Sequence, residues 1–244
     1  MGRPLRQLRP SDPFVRWVLD DLSPDEILVV GANIAFVDSA ETAGEVWITC
    51  LGEDPGMCAR LVEQLASTTA VDGITVPEEA FGLLPARLQS PDHGHWSFWV
   101  YDPDLAPIGD SDAIDLTSDD PRIAPLLAHS DSAHVFPGDP RVVRWVGVID
   151  GERLVSVAAQ RTESSGAAHI VSVCTDPQRR GEGLARRACT RIMRLATDEG
   201  APAVILEMYA GNEAGRRTYS ALGFREVGRF RSGLLSARGH RVPA

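Results

Sequence analysis

Apolar residues crowd into short runs along residues 142–149, 153–160 and 168–175, and each run ends at a turn signal. Asp150-Gly151 separates the first two runs, and Glu163-Ser-Ser-Gly166 separates the second from the third. Short apolar runs bounded this way predict strands, and Asp-Gly predicts a tight hairpin. The period then changes. Leu184, Ala188, Ile192 and Leu195 recur at helical spacing over 184–197, with Arg187, Arg191 and Arg194 on the opposite stripe. The arginine stripe reads as a solvated face, and one of these residues or Arg186 is within reach of an anion at the start of the helix. A further apolar run at 203–209 reads as a strand. Asn212 is placed to cap a helix that ends at Leu222-Gly223, and 224–230 begins a last β segment, with 233–242 available to return beside it. After a lead-in helix over 120–129, the order in this half is β-β-β-α-β-α-β.

The first half follows a looser version of the same order. Residues 27–37 and 45–51 read as strands around a turn near Ala40-Glu41. Met57, Leu61 and Leu65 give helical spacing over 56–68. Residues 73–76 then read as a strand, 78–88 as a helix and 95–101 as a strand. An Asp- and Pro-rich stretch supplies a linker at 106–119 between an N-terminal domain at 1–105 and a second domain at 120–244. The expected class is α/β (α+β), a mixed sheet flanked by helices with a second, smaller α/β domain.

Charge sharpens the division. All 24 basic residues are arginine. Residues 1–120 hold 6 Arg against 22 acidic residues, whereas residues 121–244 hold 18 Arg against 12. A positive half suits an anionic ligand, while the overall charge of −10 argues against nucleic acid as a partner. No run approaches the ~20 apolar residues of a membrane span, and the first residues lack a secretion-signal core, so a cytoplasmic protein without a membrane partner is expected. Cys50, Cys58, Cys174 and Cys189 show neither C-x-x-C spacing nor a paired His cluster. They read as core residues rather than disulfides or metal ligands.

The chemistry concentrates in Gln178-Arg179-Arg180-Gly181-Glu182-Gly183, between a predicted strand and a predicted helix. Glycines let a phosphate approach the backbone, the first amides of a helix point at it, and the helix dipole and neighbouring arginines add positive charge. A dinucleotide-binding loop would need a small residue where Arg186 stands. A Walker A loop would need a lysine, and the chain has none. Downstream lie Asn212, Tyr219 and Leu222-Gly223-Phe224. In this order, the two motifs resemble the GCN5-related N-acetyltransferase (GNAT) family, whose phosphate loop reads Q/R-x-x-G-x-G/A. The resemblance covers about residues 120–235.

That resemblance implies a sheet whose two central parallel strands splay apart to admit the cofactor's pantetheine arm. It implies acetyl-CoA as co-substrate, no metal, and direct transfer of the acetyl group to an amine, small or peptidic, in a ternary complex. It assigns the pantetheine and thioester to the backbone at Val173, Cys174 and Thr175. The pyrophosphate falls to Gln178, Arg179, Arg180, Gly181, Glu182, Gly183, Leu184 and Ala185, and Asn212 lies near the pantetheine. Tyr219 is the proton donor to the leaving thiolate, and His169, on the strand before the loop, is the candidate base, with Glu207 as its rival. A monomer or homodimer fits this picture. The first half is compatible with a degenerate acetyltransferase-like domain. Its equivalent turn, Gly52-Glu53-Asp54-Pro55-Gly56, carries two carboxylates that repel a pyrophosphate, and Pro55 lacks a donor. One cofactor per chain is therefore expected. A different reading of the same residues is a non-catalytic CoA-binding module with a regulatory or protein-interaction role.

Overall fold

A computed structural model describes residues 4–19, 22–39, 45–104 and 108–235. Glycine punctuation sets the strands of the second half. Gly151 and Gly166 take up the left-handed conformation at φ 60° and 84°, which closes the turns between β7 (Val142–Asp150), β8 (Arg153–Thr162) and β9 (Ala168–Thr175). Helix α6 (Leu184–Asp198) follows β9, then β10 (Val204–Tyr209), α7 (Glu213–Ala221) and β11 (Arg225–Leu234). Asn212 caps α7, its side chain accepting from the Gly215 amide at 2.9 Å. Gly223, at φ 88°, stops the helix as the Phe224 amide donates back to the Tyr219 carbonyl.

The first half contains β1 (Ile27–Val30), β2 (Asn33–Ser39), β3 (Val46–Leu51), α3 (Pro55–Thr68), β4 (Gly73–Pro77), α4 (Glu78–Phe81) and β5 (Gly94–Tyr101). It departs from the sequence expectation in three places. The apolar run 27–37 is a hairpin, because Gly31 turns the chain at φ 59°. The helix expected over 78–88 stops at Phe81, and Pro85 admits only a short 3-10 turn at Ala86–Leu88. Two short helices, α1 (Leu5–Leu8) and α2 (Pro13–Trp17), precede everything. Asp12 caps α2 by accepting from the Phe14 and Val15 amides, with Pro13 in the first turn. The turn near Ala40-Glu41 and residues 236–242 of the proposed return strand lie outside the described residues.

Among the described residues, the strands of both halves join one eleven-stranded sheet, in the order β1-β2-β3-β4-β11-β5-β10-β9-β8-β7-β6, where β6 is the short strand Ile114–Leu116. At its centre the halves exchange their last strands. β5 of the first half runs antiparallel to both β10 and β11, and β11 of the second half runs antiparallel to β4. The chain-order boundary is therefore crossed by the sheet. β5 also feeds two cores. Trp99 and Tyr101 pack with α6 and α7, while Phe98 and Val100 pack on the opposite face with Phe14 and Val15 of α2.

The Asp-rich stretch is not a free tether. Ile114–Leu116 forms the edge strand β6 on β7, and the residues before it strap α6. Asp110 pairs with Arg194, Asp112 with Arg187 and Asp115 with Arg191, and the Ser111 hydroxyl donates to the Arg187 carbonyl. The arginine stripe thus faces carboxylates of the same chain rather than only solvent or a cofactor. On the other side of the sheet, the lead-in helix α5 is confined to Ile123–Leu127. It packs with Trp145, Val157 and Cys174. All four cysteines are free and buried, as core residues should be.

Candidate active site

The strand before the glycine loop carries an extra residue. Between Val157↔Cys174 and Ala159↔Val171, β9 holds Ser172 and Val173 opposite the single Ala158. Ser172 lies at φ 50°, an uncommon conformation for a residue with a side chain. Its hydroxyl donates to the Val135 carbonyl at 2.7 Å, which pins the bulge to the loop after α5. The parallel pairing of β9 with β10 runs only from Val204↔Ala168 to Leu206↔Ile170. The bulge therefore begins where the two strands part.

A cleft of about 800 Å³ opens there, lined by 129–132 after α5, 173–175 of β9, 179–186 and the α7 face that carries Asn212, Arg217 and Tyr219. Gly181 and Gly183 sit at φ 87° and 76°, and a Cβ on either would meet nothing within 4 Å. Their side is open to a ligand. α6 has Gly183 at its N-cap, with no side-chain cap on its first amides. A helix start without a cap, in an open glycine loop beside Arg180, Arg186 and Arg217, fits an anionic phosphate group.

The equivalent turn in the first half is closed by its own side chains. The Asn33 amide oxygen accepts from the Glu53 and Asp54 amides at 3.1 and 3.0 Å, and Asp54 caps α3 by accepting from the Met57 amide. A Cβ on Gly52 would fall 2.2 Å from that Asn33 oxygen. The donors that a pyrophosphate would need are already taken.

Most residues singled out from the sequence meet at the cleft. Val173, Cys174, Thr175, Arg179, Arg180, Gly181, Glu182, Gly183, Leu184, Ala185, Asn212 and Tyr219 all line it. Gln178 sits in the 3-10 turn Pro177–Arg179 just before, its amide donating to Asp176. Several of these residues have side chains already engaged, Thr175 among them through Ser156. Arg179 is gripped by Glu182 and Asp150, and these hydrogen bonds raise the guanidinium pKa further. Cys174 is buried and donates to the Leu126 carbonyl, so only its backbone faces the cleft. The Asn212 oxygen is committed to capping α7, as above.

Tyr219 is 8% exposed, and burial pushes its phenol well above the usual range. It therefore stays protonated, the state a proton donor needs. Among its neighbours is Phe224, edge-on at 5.9 Å between ring centres. Apart from these residues, on the opposite face of the sheet, His169 is 5% exposed, with Nδ1 at 2.6 Å from a Glu163 oxygen. Burial raises the Glu163 carboxyl, but hydrogen bonds and charges from His169 and Arg161 outweigh it and hold the group below the usual range. Glu163 lay unread in the sequence because it sits in a turn, six residues from the histidine it orients. Among the described residues there is no cluster of three His, Cys, Asp or Glu side chains able to hold a metal, and no helix long and apolar enough to cross a membrane.

Residues 112–224 match the model of the acetyltransferase (GNAT) family. Over 103 residues, 41% of this chain, the sequence is 30% identical to the N-acetylaspartate synthetase of Rattus norvegicus and 29% identical to that of Homo sapiens. The chain spans about a third of the length of these curated relatives, 34% of each. Among solved structures, a GCN5-related N-acetyltransferase from Kribbella flavida superposes with a TM-score of 0.55 at 15% identity, covering 99% of this chain and 98% of that one. An acetyltransferase of the GNAT family from Colwellia psychrerythraea gives 0.53 at 13% identity, covering 86% and 84%. At such identities the superpositions speak for the fold alone, and they reach well beyond the segment matched by the family model. Residues 112–224 of this chain are a domain of the GNAT acetyltransferase family.

Proposed function

We propose that the chain is an acyltransferase that moves the acetyl group of acetyl-CoA to an amine by direct attack, both substrates being bound together. The single observation that carries this reading is the uncapped glycine loop of α6, opening on the same cleft as the buried phenol of Tyr219. When bound, acetyl-CoA supplies an acetyl group activated as a thioester. The backbone amides of residues 181–185, with Arg180, hold the phosphates. The β9 backbone at Val173 and Thr175, freed from β10 beyond Ile170, orients the pantetheine arm, with Asn212 beside it. Tyr219 gives its proton to the departing thiolate. His169, with Nδ1 held by Glu163, presents Nε2 as a proton acceptor. The acceptor is a small-molecule or peptide amine. The named activity of the curated relatives makes amino acids the first class to try.

Replacing Tyr219 with Phe removes the hydroxyl and leaves the ring, so packing against Phe224 and the affinity for CoA are expected to survive. General-acid contributions are typically ~10²–10⁴-fold, and a drop in kcat of at least ~10-fold with little change in the KM for acetyl-CoA is expected. Thiol release from acetyl-CoA, with acetylated product identified by mass spectrometry, measures it. Unchanged turnover would make Tyr219 a packing residue.

A further inference from the structure

The first half has a splay of its own. β3 pairs in parallel with β4 only from Trp47↔Gly73 to Thr49↔Thr75, a span matched by the pairing of β9 with β10 from Ala168 to Ile170. Beyond it β3 ends at Leu51, while β4 continues to Pro77 against β11 alone. At the start of α3 the amides are already held by Asn33. The opening lies instead on the other face of the sheet, the one that carries α2. There a cavity of about 530 Å³ is lined by 51–53 at the end of β3 and by Pro77 and Glu79 at the end of β4. Phe98 of β5 and Phe230 of β11 form its floor, and residues 8–14, from α1 into α2, its roof. Its size falls within the ~300–1,000 Å³ of small-molecule sites.

The lining selects by charge. Arg9 is bound to Asp12 at 2.9 Å, so the two cancel. Arg229 is paired with Glu226 and also has Glu78 and Glu79 close by. No cation pairs with Glu53 within the described residues, and only its amide is engaged. The balance at the mouth is therefore negative. Behind it the rings of Phe14, Phe98 and Phe230 cluster, with Phe14 at 5.1 and 5.4 Å from the other two. Aromatic faces attract a cation once water is excluded.

We propose that this cavity is a second ligand site, taking an organic cation with an apolar or aromatic body. The site goes beyond acetyl transfer and does not depend on it. Both halves build it, because β11 comes from the second half and β3, β4 and β5 from the first. An anion such as a phosphate finds no unpaired cation here, in contrast to the α6 loop with Arg180, Arg186 and Arg217. The first half thus keeps the parting of its strands and turns it to a ligand of the opposite charge.

Benzyltrimethylammonium is the probe. It carries no N–H and cannot be acetylated, so its binding is read apart from turnover. Calorimetric titration into the full-length protein is expected to give one equivalent per chain, with equal affinity in the presence and absence of saturating CoA. Benzyl alcohol, which lacks the charge, should bind at least ~5-fold more weakly. The double variant Glu53→Gln, Glu79→Gln should weaken the cation at least ~5-fold. Ala32 lines the mouth from the exposed turn between β1 and β2, and Ala32→Trp should block entry. Both variants are expected to keep the parent's thermal midpoint and its shift with acetyl-CoA, which separates loss of the site from loss of the fold. No binding to the parent, displacement of the probe by CoA, or unchanged affinity in the double variant would each overturn the proposal. None of these results bears on the acetyl-transfer reading, which fails only if acetyl-CoA leaves the parent's midpoint unmoved.

Discussion

A fragment of residues 108–244, which contains the whole segment matched by the family model, is expected to have no stable fold. Its sheet would lack β5, which lies between β10 and β11 and pairs with both. Removing β5 takes Trp99 and Tyr101 from the core under α6 and α7, and Phe98 and Val100 from the core on the other face. Each fully buried large side chain contributes about 1.5–3 kcal/mol. Four of them approach the whole ~5–15 kcal/mol margin of a typical domain. With β4 also gone, one edge of β10 and both edges of β11 would be left bare, a template for aggregation. Far-UV circular dichroism with urea should find no cooperative transition in the fragment, and co-expression with residues 1–107 should restore one. Cooperative unfolding of the fragment alone would show that the exchanged strand is dispensable.

The second large effect falls on Gly181→Glu. A residue with a side chain at φ 87° costs about 1–2 kcal/mol. No atom within 4 Å opposes the new Cβ, so the fold should persist. The carboxylate, however, enters the place assigned to the pyrophosphate, beside Arg180 and the uncapped amides of α6. At 100 times its Kd, a ligand adds about 2.7 kcal/mol of stability, which for a domain of this size raises the midpoint by about 5–10 °C. Acetyl-CoA is expected to produce such a shift in the parent and none in the variant. An equal shift in both would remove the phosphate from this loop.

The parts legible in the sequence are those encoded by local period and punctuation. β9 and the start of α6 fall where the apolar run and the helical spacing put them, because Gly181 and Gly183 separate two unambiguous periods. Asn212 and Gly223 announce the two ends of α7 by their chemistry. What stayed hidden is pairing at a distance. Nothing in residues 94–101 says that they will sit between two strands more than 100 residues later, because alternation specifies a face and not a neighbour. The strap over α6 was written as Asp110, Asp112 and Asp115, but only the fold brings these carboxylates to Arg194, Arg187 and Arg191. The start of α2, by contrast, was readable from Asp12-Pro13. Of the polar groups near the splay, His169 and Glu207 stood out as titratable residues on strands, while Glu163 gained meaning only from its contact with His169.

The two halves share an order of elements but not a loop chemistry. α6 begins at a glycine with no side-chain cap, whereas the amides of Glu53 and Asp54 are satisfied by Asn33. A cofactor bound at the α6 loop, and nowhere else, is the centre of this account. Calorimetric titration of acetyl-CoA into the full-length protein tests it most directly. One equivalent per chain, falling to none in Gly181→Glu, is the predicted result. Two equivalents, or one that survives the substitution, would contradict it.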